Sequence, residues 1–320
     1  MSRRFKAVLA VVGFACAALT IASASPVAAQ DKKIVIAVPG IPPIFASVIA
    51  YVADKEGLFK KYGVNAEVRP FENGTAAARA VLAGSIDMAL APTPPVINQI
   101  SNANADIVGI YGFPNPDWIL ATGDSTKTKC TDIKGQAVGV DSIGGARSTA
   151  LRSMLVGCPG VKLDDVQLVA LSSNVSPAMV AGRLPFGVLH LDDLAVIESQ
   201  GKKATILLEM KKTNPTSHYL LAVVRRDKLK ENRDVHVRAL AGLIAAARFM
   251  QDPANADKVA AAAAPVGHNP AISKAALKQF LAIGFWADKT DGLDRNKLEA
   301  VAKLMKKVGA IRAPGRSNGA

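Results

Sequence analysis

The sequence predicts an α/β protein of two lobes, each a mainly parallel sheet flanked by helices, joined by a hinge that the chain crosses twice. Strand and helix patterns alternate along most of the chain, and 320 residues suffice for two domains. Two proline-containing breaks, PNPD (114–117) and TNPT (213–216), interrupt the alternation beside strands. Because a double crossing returns the chain to its starting lobe, we expect residues 117–216 to form one lobe and residues 30–116 with 217–320 to form the other. Two continuous domains and one large sheet are the alternatives.

The first 29 residues have the features of a secretory signal peptide. An apolar run at 9–21, too short to span a bilayer comfortably, follows a basic start and leads to small residues that end at Ala29. Cys16 lies within this run and its neighbours fit a lipid-attachment site poorly. We therefore expect cleavage after Ala29 and export to the periplasm. The basic residues are Arg3, Arg4 and Lys6.

Charge and cysteine content narrow the possible partners. The signal carries three of the 39 basic residues and none of the 26 acidic ones, so the mature chain has a net charge of +10. Its lysines and arginines are scattered in pairs without neighbouring aromatic runs, which indicates a solvated surface and no nucleic-acid site. Export leaves two cysteines, Cys130 and Cys158. An oxidising compartment favours a disulfide between them, and two separate buried thiols are the alternative.

Periodicity places the elements of each lobe. Apolar positions at 45, 48, 49 and 52 form one helical stripe, and residues 64–71 alternate as a half-buried strand does. After the strand at 219–225, the pattern predicts only helices. In the 30–116 segment the predicted strands are 33–38, 64–71, 86–90 and 107–112. In the central segment the strands are 118–122, 137–141, 166–171, 186–190 and 204–209, with helices at 146–156, after Pro177 and at 192–200.

Small polar turns follow several strands of the first lobe. In open α/β sheets ligands bind outside the carboxyl ends of the strands, so we expect these turns to line a cleft. Thr75 is predicted to cap a helix that starts at Ala76, and Gly74 to let the backbone approach a ligand. The free amides of such a helical turn favour an anion or a carbonyl oxygen. Thr93 offers a hydroxyl in the turn after the next strand.

The central segment supplies the opposing wall. Gly144 and Gly145 lie between a strand and a helix and expose amides, and Arg147 opens that helix where its guanidinium reaches an anion in the cleft. His190 ends a strand, with Asp192 just beyond, so either faces the ligand or serves a structural, helix-capping role. Taken singly, each turn is also explained as a plain helix cap.

Recognisable catalytic and cofactor motifs are missing. The sequence has no GxSxG nucleophile elbow, no P-loop, no GxGxxG and no pair of carboxylates at a familiar spacing. None of the four histidines has another three or four residues away, so helical metal ligation is unsupported. We therefore expect a protein that is not an enzyme and that carries neither cofactor nor metal.

Several segments resemble the nitrate/sulfonate/taurine-type periplasmic substrate-binding proteins of ABC importers. The most specific are EGLFKKYGV and LAGSIDMALAPTPP, and TDIKGQAVGVDSIGGA and VRRDKL fit the family's entries into its two lobes. The resemblance covers nearly the whole mature chain. It implies the type 2 periplasmic-binding fold, closing on a ligand as a hinged trap, with a membrane permease and an ATPase as partners. Carried over by position, the ligand contacts are Pro42, Pro43, Thr75, Thr93, Gly144, Gly145, Asn174 and His190.

These observations together predict a monomeric periplasmic protein that captures a small anionic or polar organic solute and delivers it to an ABC permease. A sulfonate, a carboxylate and a nitrogenous compound all remain open as the solute. Two alternatives share the fold. One is a binding protein for thiamine-pyrimidine precursors, or a related enzyme. The other is a receptor domain that senses a ligand without transport.

Overall fold

The computed structural model describes residues 32–171, 174–307 and 311, so the predicted signal peptide lies outside the described residues. Ten strands form two five-stranded sheets, with the orders β2-β1-β3-β10-β4 and β7-β6-β8-β5-β9. The strands are β1 (Lys32–Pro39), β2 (Val64–Phe71), β3 (Met88–Pro92), β4 (Ile107–Phe113), β5 (Ile119–Thr122), β6 (Ala137–Val140), β7 (Gln167–Ala170), β8 (Phe186–Leu189), β9 (Thr205–Glu209) and β10 (Leu220–Arg225).

Each sheet has four strands in one direction and one reversed strand, which confirms the predicted mainly parallel sheets. In the first sheet β10 runs antiparallel between β3 and β4, and in the second β5 runs antiparallel between β8 and β9. The remaining direct pairs, β1 with β2 and β3 and β6 with β7 and β8, are parallel. Each reversed strand is the first one after a proline-containing break. That the two sheets belong to separately moving lobes stays a prediction.

Thirteen α-helices surround the sheets in the described part of the chain. The helix predicted at 146–156 is α-helical to Met154 and continues as a 3₁₀ turn to Gly157. None of the helices in the described ranges combines the length and apolar character needed to cross a membrane. The helices are α1 (Val48–Lys55), α2 (Leu58–Lys61), α3 (Gly74–Leu82), α4 (Thr93–Ala103), α5 (Ala146–Met154), α6 (Val175–Val180), α7 (Leu191–Ser199), α8 (Met210–Thr213), α9 (Arg226–Glu231), α10 (Arg233–Gln251), α11 (Ala256–Ala262), α12 (Pro270–Ala282) and α13 (Arg295–Lys307).

Apolar side chains pack on both faces of each sheet. One cluster lies between the first sheet and α3 and includes Val81 and Ala89, and another joins the second sheet to α6 through Val175 and Ile119. The largest cluster covers the other face of both sheets and is continuous between them. Rings of Trp118, Tyr219 and Phe285 follow one another at centroid distances of 5.6 Å within it. These aromatic contacts hold both crossing segments against the C-terminal helices.

The predicted disulfide is confirmed. Cys130 lies in a 3₁₀ turn before β6, and Cys158 directly follows the 3₁₀ extension of α5. Their sulfurs are bonded and their Cα atoms are 6.0 Å apart. The bond therefore closes a loop that contains β6 and α5 and fixes the position of both.

A loop before α13 packs closely on β4 and requires glycine at two positions. Gly292 has φ +65°, and a Cβ placed there would lie 1.9 Å from the carbonyl oxygen of Gly112. The amide of Gly112 donates to the carbonyl of Asp291 at 2.8 Å. A side chain at Gly292 would therefore separate two backbones and break this hydrogen bond.

We predict that Gly292→Ala destabilises the protein more than Gly57→Ala does. Gly57 has nearly the same φ, +66°. Beyond its chain neighbours, no atom of the described residues lies within 4 Å of a Cβ added there, so Gly57 isolates the cost of the left-handed backbone. The left-handed conformation lowers the free energy of unfolding of both variants by about 1–2 kcal/mol, and the clash lowers that of Gly292→Ala by roughly 1–3 kcal/mol more. Urea unfolding of the two variants measures the difference. Equal free energies of unfolding would show that the loop moves away from β4 at no cost.

Candidate functional site

Buried charged side chains meet where the carboxyl end of β8 approaches the first crossing between the sheets. Asp117 lies in that crossing, His190 follows β8, and Asp192 lies in the first turn of α7. One ligand-type atom from each lies within 4.8 Å of the other two, and all three residues are buried. The sequence analysis named His190 and Asp192 as candidate ligand contacts, and the structure places both in this cluster.

His190 is the N-cap residue of α7, and its ring is held on two sides. Its Nδ1 lies 2.6 Å from Asp117 Oδ2, and its ring centroid is 3.8 Å from that of Trp118. Burial alone would lower the pKa of His190, but the carboxylate of Asp117 outweighs burial and raises it. The imidazole therefore favours the protonated form and pairs with Asp117.

The guanidinium of Arg147 is already paired within the protein. Its Nη1 donates to the carbonyl of Val188 at 2.5 Å and lies 3.3 Å from Asp193 Oδ2, and its Cζ is 5.6 Å from the Trp118 ring centroid. Asp193 also accepts from Ser176 Oγ at 2.6 Å. The charge predicted to meet an anion is thus neutralised by a carboxylate of the same chain.

His268 joins the cluster through its contact with Asp192. It lies in the loop before α12, and its Nε2 is 2.9 Å from Asp192 Oδ2. Burial alone would lower the pKa of His268, but the hydrogen bond and charge of Asp192 raise it. Helix α12 packs against α7, so this pair joins the C-terminal helices to the second sheet. Sequence reasoning missed His268 because 78 positions separate it from His190.

Thr93 lies near the second crossing and pairs with His218. Its Oγ1 is 2.8 Å from His218 Nδ1, and its amide donates to the carbonyl of Tyr219. His218 Nε2 lies 3.0 Å from the carbonyl of Gly292, so Nε2 donates there and Nδ1 accepts from the Thr93 hydroxyl. Burial lowers the pKa of His218, which favours the neutral ring that this arrangement needs.

The turn before α3 corrects the prediction that Thr75 caps a helix. The helix begins at Gly74, and Asn73 is its cap, with Oδ1 accepting from the amide of Ala76 at 2.9 Å. The close approach at Gly74 is to Pro92, since an added Cβ would lie 2.1 Å from Pro92 Cδ. Thr75 itself is half-buried in the first turn. Glycine therefore serves packing between two turns at this position.

Amides of the Gly144–Gly145 turn donate within the chain. Gly144 N donates to Ser148 Oγ at 3.2 Å, and Gly145 N to the carbonyl of Ser142 at 3.0 Å. The next two amides, of Ala146 and Arg147, donate to the carboxylate of Asp141, each at 3.0 Å. An internal carboxylate thus occupies the helix terminus at which an anionic ligand was expected.

The remaining predicted contacts lie in turns next to β1 and α6. Pro42 and Pro43 follow β1, the first exposed and the second buried, and Asn174 is exposed just before α6. Within the described ranges, no side-chain hydrogen bond joins these three residues to Asp117, His190 or Asp192. A cavity of about 270 Å³ lies elsewhere, and no predicted contact lines it. Its walls are Val156, Thr213, Asn214, Pro215, Thr216, Ala300, Val301 and Leu304.

Residues 45–256 match the sequence profile of the NMT1/THI5-like family, which is well over half of the chain. The chain belongs to the NMT1/THI5-like family. A curated relative from Brucella abortus (strain 2308), provisionally named a binding protein, is 28% identical over 158 residues. That alignment covers 49% of this chain and 48% of the relative, so the chain spans about half the length of the curated relative it matches.

Solved structures show that this NMT1/THI5-like chain has the periplasmic-binding-protein fold. The alkanesulfonate-binding protein SsuA from Xanthomonas axonopodis pv. citri, bound to MOPS, aligns with a TM-score of 0.69 at 17% identity, covering 89% of this chain and 96% of that one. The periplasmic aliphatic sulphonate binding protein SsuA from Escherichia coli gives a TM-score of 0.69 at 18% identity, covering 88% and 94%. Family and fold therefore agree with the resemblance found in the sequence.

Proposed function

We propose that the protein is a periplasmic solute-binding protein, and not an enzyme, that captures a small anionic or polar organic solute and delivers it to an ABC permease and its ATPase. The observation that carries the proposal is the buried cluster of Asp117, His190 and Asp192, which His268 joins through its contact with Asp192. Membership of the NMT1/THI5-like family and the binding functions named for its structural neighbours support the proposal. Export would begin with the signal peptide and cleavage after Ala29.

Hinge closure is the proposed mechanism. The chain crosses between the sheets at 114–117 and 213–216, and the pair His268–Asp192 joins the parts on either side. A solute that contacts both parts binds the closed arrangement better than the open one, and this difference in affinity drives closure. We propose residues 30–116 with 217–320 as one lobe and 117–216 as the other. A ligand site at their boundary would then release its solute when they separate.

Thermal melting tests solute binding. The full chain is expressed with its signal, and the exported protein is purified from the periplasm and melted with sulfonates, carboxylates, nitrate, ureas and pyrimidines. One class is expected to raise the melting temperature by about 5 °C at a hundredfold excess over its Kd, because a ligand bound only to the folded state stabilises it. The mass of the exported protein tests cleavage after Ala29.

A refolded sample is the control for a solute that co-purifies. Unfolding in guanidinium and refolding without reductant removes a bound solute and keeps the disulfide. The refolded protein should melt lower than the original if a solute was present, and recover on its addition. No stabilisation of the refolded protein by any of the five classes, or by an amine or amidine, would contradict the proposal.

A further inference from the structure

The buried cluster between the sheets has unused hydrogen-bond acceptors. Among the residues that the structure describes, Asp117 Oδ1 and Asp192 Oδ1 have no hydrogen-bond partner, and Asp117 is only 1% exposed. Their other oxygens bond to His190 and His268. An unpaired carboxylate oxygen in a buried place costs free energy until a donor reaches it.

Several donors that could have met an anion are already used within the chain. The guanidinium of Arg147 is paired with Asp193, and the amides that start α5 donate to Asp141. At the start of α3, the amide of Ala76 donates to Asn73 Oδ1. At the start of α4, Pro94 and Pro95 have no N–H to donate. The site therefore offers spare carboxylate acceptors at Asp117 and Asp192, which suit a solute that carries N–H donors.

We propose that the solute carries an NH2 or NH3⁺ group, as an amine, amidine or amino-heterocycle, and that Asp117 and Asp192 accept its N–H bonds. This inference rests on the proposed solute-binding function and selects the nitrogenous class from its range. A carboxylate oxygen of Asp117 and one of Asp192 lie within 4.8 Å of each other. Two N–H···O hydrogen bonds of about 2.9 Å from one nitrogen, at a tetrahedral angle, reach acceptors roughly 4.7 Å apart, which is compatible with that limit.

A metal ion fits the observed geometry less well. His190 Nδ1 and Asp117 Oδ2 are 2.6 Å apart, a hydrogen-bond distance. Two ligands of one tetrahedral zinc ion are about 3.3 Å apart, since each lies about 2 Å from the metal. Zinc would have to break this pair, whereas an N–H donor uses only the free oxygens. Trp118 and Tyr219, both buried beside the cluster, exclude water and strengthen such a charged hydrogen bond.

Isosteric probe pairs test the inference on the refolded, exported protein. Benzamidine and n-butylamine present N–H donors, and benzoate, benzenesulfonate and butyrate present anions of similar shape. The amines are expected to raise the melting temperature and the anions to leave it unchanged. Asp192→Asn should weaken benzamidine binding at least tenfold by calorimetry, because a charged acceptor is lost. Asp234→Asn, a surface carboxylate on α10, should bind as the wild type does.

The other possible outcomes distinguish failure of this inference from failure of the proposed solute-binding function. Stabilisation by the anions alone would overturn the inference and leave solute binding intact. Stabilisation by ZnCl2 that exceeds that by the amines, and that EDTA removes, would overturn it in favour of a metal site. If neither the amines nor the anions raised the melting temperature, and no small molecule were released when the exported protein unfolds, the proposed function would be overturned as well. The wild-type measurements decide these cases even if Asp192→Asn fails to fold.

Discussion

Asp193→Ala is expected to lower the free energy of unfolding by about 3–5 kcal/mol, because it leaves the buried charge of Arg147 without its partner. Asp193 accepts from Arg147 Nη1, from Ser176 Oγ at 2.6 Å and from the amide of His190 at 2.9 Å. Three donors thus lose one acceptor in a part of the protein that water does not reach. Chemical denaturation of the purified variant measures the loss.

The matched control is Asp234→Ala. Asp234 also pairs with an arginine, Arg238 at 3.0 Å, but both side chains are more than a third exposed. Water replaces that partner, so a loss below about 1 kcal/mol is expected. If the two variants lost equal stability, the pair of Arg147 and Asp193 would be no stronger than a surface ion pair.

The dependence of stability on pH tests the interaction between Arg147 and Asp193 independently. Burial alone would raise the pKa of Asp193, but the charges of Arg147 and His190 outweigh it and hold the pKa below its usual range. A lowered pKa in the folded state means that this stabilisation is present above about pH 4 and is lost as pH falls through the folded pKa. The stability difference between wild type and Asp193→Asn should therefore narrow in strong acid. A constant difference would contradict the lowered pKa.

Removal of the disulfide by Cys130→Ala with Cys158→Ala is expected to cost roughly 3–4 kcal/mol. The bonded cysteines are 28 positions apart in sequence. A cross-link over a loop of that length restricts the unfolded chain by about this amount in the chain-entropy description. Alanine is the suitable replacement because Cys158 is buried and a serine hydroxyl would lack a partner there. Guanidinium unfolding of the double variant measures the loss.

Reductant and thiol titration provide the control. Dithiothreitol should lower the melting temperature of the wild type and leave that of the double variant unchanged. Titration of the untreated, unfolded protein should find no free thiol. Two titratable thiols, or an equal effect of reductant on both proteins, would show that the cysteines are not bonded in the exported protein.

Local patterns predicted most strands and helices correctly. The alternation of 64–71 became β2 over the same residues, and the apolar run 33–38 lies within β1. These predictions succeed because side-chain periodicity is a local property of the chain. The cap of α3 was assigned incorrectly because Asn73 and Thr75 are both good capping residues, and only the backbone conformation selects one.

Partners distant in sequence account for what pattern reasoning missed at the candidate site. Asp117 was read only as part of a proline-containing break, and it proved to bond His190, 73 positions away. Asp192 meets His268 across 76 positions. No periodicity relates residues so far apart, since folding of the two sheets alone brings them together.

The sequence by itself determined the α/β class, the mainly parallel sheets and the kinship with solute-binding proteins, and it favoured a disulfide between the two cysteines. Each follows from local periodicity, composition or short motifs. Only the tertiary structure decided which strands run in reverse, which donors are already used and which carboxylate oxygens are left unpaired. Those properties depend on distances between residues far apart in the chain, and the proposed class of solute rests on them.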